Sequence, residues 1–380
     1  MNDFCPIGKK CSSCQLLNLS YEEQLKYKEN LCRRLLGSLC RVEAITPSPM
    51  TQEYRNKAQF VFRREGKGLV SGVWRSGTRT MAATDRCALC TDSANELAGV
   101  LCRLFHSFKV TPYDPYTGRG WLKSVVIREA SAGKRMLIIN GADGVFPAKR
   151  TFTTALRKAC PDLTTAVIAV NRDPEKLFTG RVSEVLFGDG FITDTLCGRR
   201  FILSPTAFYQ VNHDQTEQLY ERAIELLALS KDDVLLDAYC GIGTVGIIAA
   251  QYAGRVLGVE LNKEAIRDAR RNASLNQAGN IRFTAADCKL YAKELADSGE
   301  RIDAAVIDPP RAGCTASFLK SLAGLGPSHI AYISCNPETQ ARDIRILSRF
   351  GYRAEAAYPF DMFPHTNHVE CVTLMTRERS

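Results

Sequence analysis

The chain has 380 residues, of which 45% are hydrophobic and 24% are charged, and its formal net charge is +9. This apolar content excludes a disordered protein and is enough for two domains or one large two-part domain, while the basic balance leans toward a polyanionic partner. The sequence has no apolar stretch near the ~20 residues of a transmembrane helix, and MNDFCPIGKKCSSC lacks the apolar core of a signal peptide.

Cysteines are concentrated at the N-terminus, where the pattern C-x5-C-x2-C is formed by Cys5, Cys11 and Cys14. The fifteen cysteines of a chain without an export signal indicate free thiols or metal ligands in the reducing cytoplasm. The stretch DRCALC offers Cys87 or Cys90 as a fourth ligand. Four thiolates suit structural zinc or a 4Fe–4S cluster, and the spacing alone does not choose between them.

The middle of the chain has a mixed pattern. A helix is predicted from Tyr21 to about Leu39, and short β-like runs follow, such as AQFVF, SVVIRE and RMLIIN. From about residue 200 the apolar runs VLLDAY, VLGVEL, IRFTAAD, DAAVID and IAYIS alternate with helical segments near 244–253, 262–277 and 338–349. This alternation predicts a doubly wound, mostly parallel sheet, with VECVTLMT as an added edge strand.

We therefore expect an α/β protein in three parts. Residues 1–20 hold the cysteine segment, which Cys87 or Cys90 would complete, residues 21–195 form a smaller mixed α+β domain, and residues 196–380 form a Rossmann-like domain. We also expect a monomer without a membrane partner.

The turn after VLLDAY suggests a nucleotide cofactor. Gly241, Gly243 and Gly246 match G-x-G-x-x-G, which on its own leaves dinucleotide binding and S-adenosylmethionine binding open. Glu260 ends the next predicted strand, where an acid can accept hydrogen bonds from ribose hydroxyls. Asp237 is placed to contact the methionine end of S-adenosylmethionine, and Asp287, at the end of the third strand, is placed to contact its adenine.

The fourth strand favours S-adenosylmethionine. It ends in IDPPRAG, residues 307–313, where two prolines form a rigid edge over the pocket. This motif resembles the one in S-adenosylmethionine-dependent nucleic-acid methyltransferases. Relatives that methylate exocyclic amines typically have an aromatic residue after the prolines, whereas this chain has Arg311. The difference favours methylation of a base carbon.

A cysteine at the end of the next strand supplies the nucleophile that such a reaction needs. Carbon-5 of uracil becomes nucleophilic only after a thiolate adds to carbon-6, and a base must later remove the carbon-5 proton. Cys335 in YISCNP and Glu370 in DMFPHTNHVECV fit these two roles. A helix predicted to start near Glu338 is expected to lower the pKa of Cys335. His365 and His368 are interpreted as loop-bracing residues.

Five motifs in this order, ILSPTAFYQVN, DAYCGIGT, IDPPRAG, YISCNP and DMFPHTNHVE, resemble the RNA uracil-5-methyltransferase family. The resemblance implies a class I S-adenosylmethionine-dependent methyltransferase in which Cys335 is the nucleophile and Glu370 removes the proton. It also implies that S-adenosylmethionine is bound by Gln210, Tyr239, Thr244, Glu260, Asp287 and Asp308.

The resemblance also bears on the cysteines and on the substrate. The ribosomal-RNA branch of the family carries a 4Fe–4S cluster on a similar pattern, which implies Cys87 rather than Cys90 as the fourth ligand. The transfer-RNA branch generally lacks the cluster, so we expect 23S ribosomal RNA as substrate and keep tRNA as the alternative.

The segment YRNKAQFVFRR, residues 54–64, is the candidate RNA-binding stretch. It interleaves aromatic residues with Arg55, Lys57, Arg63 and Arg64, which suits phosphate pairing and base stacking on single-stranded or looped RNA. A solvated strand face with a phenylalanine core is the competing interpretation. Two other function classes stay open, an iron–sulfur dinucleotide-binding oxidoreductase and a non-enzymatic RNA-binding protein.

Overall fold

The structure is a computed structural model that describes residues 4–75, 77–78, 80–143, 145–173, 175–178 and 180–378. The N-terminal segment contains a 3₁₀ turn at Gly8–Lys10, helix α1 at Tyr21–Leu36 and the short strand β1 at Arg41–Val42. Ser20 and Glu23 form a capping box that starts α1, because each side chain accepts a hydrogen bond from the other residue's backbone N–H.

The central region combines a sheet with two helices. Its strands and helices are β2 (Lys57–Glu65), β3 (Gly68–Trp74), β4 (Met81–Ala83), α2 (Asp92–Ser107), β5 (Leu122–Glu129), β6 (Arg135–Gly141), α3 (Lys149–Ala159), β7 (Leu163–Val170) and β8 (Arg181–Phe187). The strand order is β4-β3-β2-β5-β6-β7-β8, and among these neighbours only β6 and β7, which lie within the described residues, are parallel. We call this the central sheet.

Both faces of the central sheet are covered, as the alternation along β5 shows. Val125 and Ile127 point into a core shared with α2 and α3. Val126 points the other way, into a core shared with the C-terminal half of the chain. The two halves are therefore packed on one continuous apolar core.

The C-terminal half begins with a hairpin, β9 (Ile192–Leu196) and β10 (Arg199–Leu203). The elements that follow are α4 (His213–Leu227), β11 (Val234–Ala238), α5 (Thr244–Ala249), β12 (Arg255–Glu260), α6 (Lys263–Leu275), β13 (Ile281–Ala285), α7 (Cys288–Asp297), β14 (Ala304–Ile307), α8 (Ala316–Leu325), β15 (His329–Ser334), α9 (Pro337–Ser348), β16 (Tyr352–Phe360) and β17 (Glu370–Arg377). The predicted α/β fold class, with a mostly parallel Rossmann-like sheet, is confirmed.

The sheet of this half, which we call the C-terminal sheet, has the order β1-β16-β17-β15-β14-β11-β12-β13. Its neighbouring strands are parallel except that β17 runs antiparallel to both β15 and β16. The prediction that this last strand lies at an edge is wrong. β17 is inserted between β15 and β16, and its side chains Val372 and Met375 are fully buried, which an exposed edge would not allow.

The N-terminal part of the expected domain 21–195 contacts the C-terminal half of the chain. Strand β1 pairs with β16 of the C-terminal sheet. On α1, the buried side chains Cys32 and Leu36 join the core around Met375. Burial of this apolar face against the C-terminal sheet explains the docking. In the described part of the chain, none of the helices combines the length and apolar character needed to cross a bilayer.

Candidate active site

A glycine turn follows β11 at the carboxyl edge of the C-terminal sheet. Gly241 and Gly243 have φ angles of 54° and 81°, which glycine adopts without strain. Asp237 is buried below the turn, and its Oδ2 accepts a hydrogen bond from the backbone N–H of Gly246 at 2.8 Å. This carboxylate therefore braces the start of α5. Burial raises the pKa of Asp237 to about 7.

Parallel strands bring their carboxyl ends to one edge of a sheet, and the predicted cofactor residues gather there. Tyr239 follows β11, Thr244 opens α5, Glu260 ends β12, Asp287 caps α7 and Asp308 follows β14. Gln210 lies on a different segment, two residues before the N-cap of α4, and is buried. Five of the six residues thus line one edge of the sheet, while Gln210 is supplied by the segment before α4.

Two of these acids have one oxygen engaged by the backbone. Glu260 Oε1 accepts a hydrogen bond from Asn262 N–H at 2.8 Å. Asp287 Oδ1 accepts from Lys289 N–H at 2.9 Å and from Leu290 N–H at 3.2 Å. These bonds fix each carboxylate and leave its second oxygen for a ligand. Carboxylates held this way fit the ribose hydroxyls and the adenine of S-adenosylmethionine, so the residues present are compatible with that cofactor.

Cys335 and Glu370 meet at the same edge. Cys335 directly follows β15, and Glu370 is the first residue of β17. The antiparallel register pairs Ser334 with Cys371, so the next position places Cys335 opposite Glu370. Directly opposed residues of an antiparallel pair point to the same side of the sheet. The insertion of β17 beside β15 therefore brings the predicted nucleophile and the predicted base together.

The electrostatic environment of this pair differs from expectation. Helix α9 does begin two residues after Cys335, with Asn336 as its N-cap. The pKa of Cys335 is nevertheless raised to about 11, first by burial and then by the charges of Glu370 and Asp308. The expectation that the pKa of Cys335 is lowered is wrong, because burial and two nearby carboxylates outweigh the effect of the helix. Burial, assisted by Asp308, also raises the pKa of Glu370 well above its usual range.

Two residues of this environment were missed by sequence reasoning. Tyr220 of α4 is buried, and its hydroxyl is hydrogen-bonded to Thr244. Burial is the main cause that raises the pKa of Tyr220, and the charges of Asp308 and Glu370 raise it further. Its position in an ordinary amphipathic helix gave no signal. Arg311 is exposed beside Cys335 and acts to lower the pKa of that thiol. Arg311 stands in the motif IDPPRAG, but the sequence does not show that its guanidinium lies near the Cys335 thiol.

The histidines near Glu370 contact other parts of the protein. The ring Nδ1 of His365 lies 3.2 Å from Gln24 Nε2 on α1. The ring Nδ1 of His368 lies 3.4 Å from a guanidinium nitrogen of Arg311. These contacts are compatible with the predicted bracing role.

Comparison with known families decides the assignment. The sequence profile of the tRNA (uracil-5-)-methyltransferase family matches residues 179–378, which is more than half of the chain. The chain belongs to the RNA uracil-5-methyltransferase family. The predicted family and the predicted enzyme class are confirmed, and the oxidoreductase alternative is not retained.

Relatives of this methyltransferase cover nearly its whole length. It is 36% identical to an uncharacterized RNA methyltransferase of Halalkalibacterium halodurans, over 98% of this chain and 82% of that protein. It is 34% identical to one of Caldanaerobacter subterraneus subsp. tengcongensis, over 99% and 84%. Among solved structures it is similar to the tRNA (uracil-54, C5)-methyltransferase of Pyrococcus abyssi in complex with S-adenosyl-L-homocysteine. The TM-score is 0.79 and the identity 28%, covering 96% of this chain and 85% of that chain.

The predicted metal ligands of the methyltransferase surround one cavity of about 300 Å³, which we call the thiol cavity. Its lining includes Cys5, Cys11, Cys14, Cys87 and Cys90. The Cys90 thiol is hydrogen-bonded to Cys87, which lowers the pKa of Cys87 to about 6 and raises that of Cys90. Within the described residues, however, no group of three or more His, Cys, Asp or Glu side chains is arranged to hold a metal ion. The thiols line one cavity, but in the described residues they are not arranged to coordinate a metal ion.

The basic residues of the segment 54–64 divide into two pairs. Arg55 and Lys57 line the thiol cavity, and burial, assisted by the charges of Arg128 and Arg55, lowers the pKa of Lys57 to about 8. Arg63 and Arg64 are exposed. The four basic residues of the candidate RNA-binding stretch therefore do not share one surface, and Arg63 and Arg64 are the two that are exposed.

Arg63 and Arg64 open onto a groove of about 630 Å³. The residues that line it include Trp74, Tyr113, Tyr116, Arg119 and Lys123. Tyr116 is 68% exposed, and Lys123 Nζ lies 5.0 Å from the centre of the Tyr113 ring. We call this the basic-aromatic groove. Cations combined with aromatic rings, of which the Tyr116 ring is exposed, suit unpaired nucleotides.

Proposed function

We propose that this methyltransferase transfers a methyl group to carbon-5 of a uridine in 23S ribosomal RNA, with S-adenosylmethionine as the methyl donor. The observation that carries the proposal is the juxtaposition of Cys335 and Glu370 at the carboxyl edge of the C-terminal sheet. A thiol and a carboxyl group opposite each other at one sheet edge match the two catalytic groups that carbon-5 methylation of uracil requires.

The cofactor is proposed to be held along that edge. Gln210, Tyr239, Thr244, Glu260, Asp287 and Asp308 are the candidate contacts. When bound, S-adenosylmethionine would supply an electrophilic methyl group. The fixed carboxylates of Glu260 and Asp287 would orient the nucleoside part of the cofactor, so that the chemistry is confined to the Cys335 side of the pocket.

The role of Cys335 is to activate the uracil ring. Its thiolate adds to carbon-6, a carbon–sulfur bond forms, and the ring electrons shift so that carbon-5 becomes nucleophilic. Once carbon-5 has accepted the methyl group, it still carries its original proton. Before addition, the Cys335 thiol must lose its own proton to solvent, and Arg311 is the nearby cation that favours the thiolate.

The role of Glu370 is to complete the turnover. Its carboxylate takes the carbon-5 proton, the electrons of that bond re-form the carbon-5–carbon-6 double bond, and the sulfur of Cys335 leaves as thiolate. A buried carboxylate with a raised pKa is a stronger proton acceptor than one in water. The position of Glu370 opposite Cys335, together with the basicity of its ionised form, supports its assignment as the base.

Separate observations favour 23S ribosomal RNA and tRNA as the substrate. The cysteine segment favours ribosomal RNA through its likeness to the ribosomal-RNA branch. The matching profile is named for tRNA (uracil-5-)-methyltransferases, and the solved relative from Pyrococcus abyssi acts on uracil-54 of tRNA, which favours tRNA as the second candidate. In either case we propose a monomeric, cytoplasmic enzyme.

A 4Fe–4S cluster held by Cys5, Cys11, Cys14 and Cys87 is part of the proposal. Its support is that these thiols line one cavity. A zinc ion with bonds of about 2.3 Å needs its four sulfur ligands closely packed. A four-iron cluster is larger and suits thiols spread around a cavity better. We assign the cluster a structural role.

Methylation of separated RNAs tests the proposed function. Purified enzyme, methyl-labelled S-adenosylmethionine and either 23S ribosomal RNA or tRNA from cells lacking this protein would be incubated, and the labelled position mapped as 5-methyluridine. We expect label in 23S ribosomal RNA. Cys335→Ala should abolish labelling, while Cys160→Ala, a half-buried thiol at the end of α3, should not. Label only in tRNA would select the alternative substrate.

A further inference from the structure

The loop that leads into Glu370 is held in place by the N-terminal segment. This loop, residues 361–369, connects β16 to β17 and ends directly before Glu370. Its position therefore determines where the Glu370 carboxyl group enters the active site. We call it the catalytic loop.

His365 lies in the middle of the catalytic loop. Its φ angle is 69°, in the left-handed region that residues with a side chain uncommonly adopt. Its backbone N–H donates to Gln24 Oε1 at 2.8 Å, and its carbonyl accepts from Leu16 N–H at 2.9 Å. Both backbone groups of His365 are thus bonded to residues of the N-terminal segment.

Gln24 contacts His365 from a buried position. Its side chain is 1% exposed on the inner face of α1. Besides accepting from His365, its Nε2 donates to the carbonyl of Leu19 at 3.1 Å, which fixes the orientation of the amide. A buried amide whose oxygen and nitrogen are both hydrogen-bonded restricts the position of its partner, here His365.

Neighbouring contacts hold the rest of the loop. The ammonium of Lys28 is buried and donates to Asp361 Oδ1 at 2.5 Å and to the carbonyl of Phe363 at 2.9 Å. The backbone N–H of Asn367 donates to Gln15 Oε1 at 3.3 Å. Tyr54 and Asn212 add bonds to the carbonyls of Pro364 and Met362.

We propose that Gln24 is a positioning residue for Glu370, and that α1 with the segment before it sets the geometry of the proton-removal step through the catalytic loop. The inference rests on the proposed function, in which Glu370 acts only after methyl transfer. Loosening the loop should therefore slow release of methylated RNA more than cofactor binding or addition of Cys335. A purely structural role would lower all steps together.

The test compares Gln24→Met, which keeps the side-chain volume but removes every hydrogen bond of the amide group, with Asn140→Leu. Asn140 is a buried amide of the central sheet, bonded to Ser124, and serves as a matched control for the loss of a buried polar group. Each variant would be mixed with substrate RNA and methyl-labelled S-adenosylmethionine and analysed on denaturing gels. Turnover, cofactor affinity by calorimetry and thermal unfolding would be measured in parallel.

For Gln24→Met we expect turnover to fall by about tenfold to a hundredfold, as for a modest misplacement of a catalytic group. Methylated RNA should remain attached to the protein, and cofactor affinity should stay unchanged. Asn140→Leu should accumulate no attached RNA. If Gln24→Met fails to fold, Gln15→Ala replaces it, because Gln15 is exposed and its loss should leave the fold intact.

Absence of attached RNA in folded Gln24→Met, or in Gln15→Ala when that variant replaces it, would overturn the inference, provided that Glu370→Gln does accumulate it. Absence in Glu370→Gln as well would instead reject the proposed role of Glu370. The two failures are therefore distinguishable within one experiment.

Discussion

Cys335 and Glu370 lie opposite each other across the antiparallel strands β15 and β17, because Ser334 pairs with Cys371. The following residue of β17, Cys371, points to the other face and is fully buried in the core. A shift of one residue in this register would turn the Glu370 carboxyl group toward the apolar core and present the thiol of Cys371 beside Cys335. The strand pairing therefore decides which side chains take part in chemistry.

The first prediction follows from the separate roles of the two residues. In Glu370→Gln the thiolate can still add and carbon-5 can still be methylated, but the carbon-5 proton stays in place. Multiple turnover should fall by about a hundredfold or more. A labelled, slowly migrating protein–RNA band should appear on denaturing gels.

The double variant Cys335→Ala with Glu370→Gln should show no such band, because no sulfur is left to attach. Normal turnover by Glu370→Gln would assign proton removal to another group, and His365 would be the next candidate.

The second prediction concerns the ionisation of Cys335. Because its pKa is raised to about 11, the thiolate fraction should rise about tenfold per pH unit up to that value. Glu370 raises this pKa and Arg311 lowers it. Glu370→Gln should therefore move the pH profile of Cys335 alkylation to lower pH, and Arg311→Gln should move it to higher pH. Peptide mass spectrometry after timed iodoacetamide treatment measures both.

Cys160 is the internal control for this titration. Its pKa is raised by burial and affected by Arg135, Arg103 and Asp162, none of which is changed. Its profile should be the same in every variant. A shift of Cys335 to lower pH in Arg311→Gln would contradict the assigned electrostatics.

Local patterns were sufficient to predict the carboxyl edge of the C-terminal sheet. Strands β11 to β15 are short, apolar and separated by helices, and each ends in polar residues at the same edge. The glycine turn and Glu260 could be located because their chemistry depends on positions next to strand ends. Cys335 was recognisable for the same reason.

Non-local contacts could not be predicted in the same way. β1 has only two residues, so its pairing with β16 leaves no periodic signal. Tyr220 belongs to a regular helix, and its approach to Thr244 depends on how α4 packs. The raised pKa of Cys335 could not be predicted, because the sequence reveals the helix that follows but not the tertiary structure. The tertiary structure buries the thiol and brings the Glu370 carboxylate close to it.

The third prediction tests the cofactor pocket. Glu260→Ala removes a charged acceptor for ribose hydroxyls, and such hydrogen bonds contribute about 1.5–3 kcal/mol, so the Kd of S-adenosylmethionine should rise by roughly 10- to 100-fold. Calorimetry measures it. Glu294→Ala, an exposed acid on α7, is the matched control and should bind normally. Equal affinities for the two variants would remove Glu260 from the pocket.

The fourth prediction addresses the thiol cavity. Anaerobically purified protein should contain iron and acid-labile sulfide in amounts matching one four-iron cluster. Cys87→Ser should lose most of the iron, whereas Cys90→Ser should retain it. Stoichiometric zinc without iron would reject the cluster. The reverse pattern in the two variants would replace Cys87 by Cys90 as the fourth ligand.

The fifth prediction separates the two pairs of basic residues. Arg63 and Arg64 are exposed at the basic-aromatic groove, so replacing both with alanine should weaken RNA binding. Each lost phosphate contact on single-stranded RNA lowers the slope of log K against log salt by about 0.7, so the double variant should flatten it by about 1.4. Binding isotherms at several salt concentrations measure both quantities.

Lys57→Met tests the other pair. Lys57 lines the thiol cavity, and its lowered pKa of about 8 reflects burial together with the nearby charges of Arg128 and Arg55. Its replacement should leave the salt slope unchanged. Exposed Arg353, on β16 of the C-terminal sheet, serves as a control for simple loss of surface charge, and Arg353→Ala should also leave the slope unchanged. If Arg353→Ala flattens the slope as much per charge as the Arg63 and Arg64 variant does, RNA binding depends on overall charge. The groove then has no specific part in it.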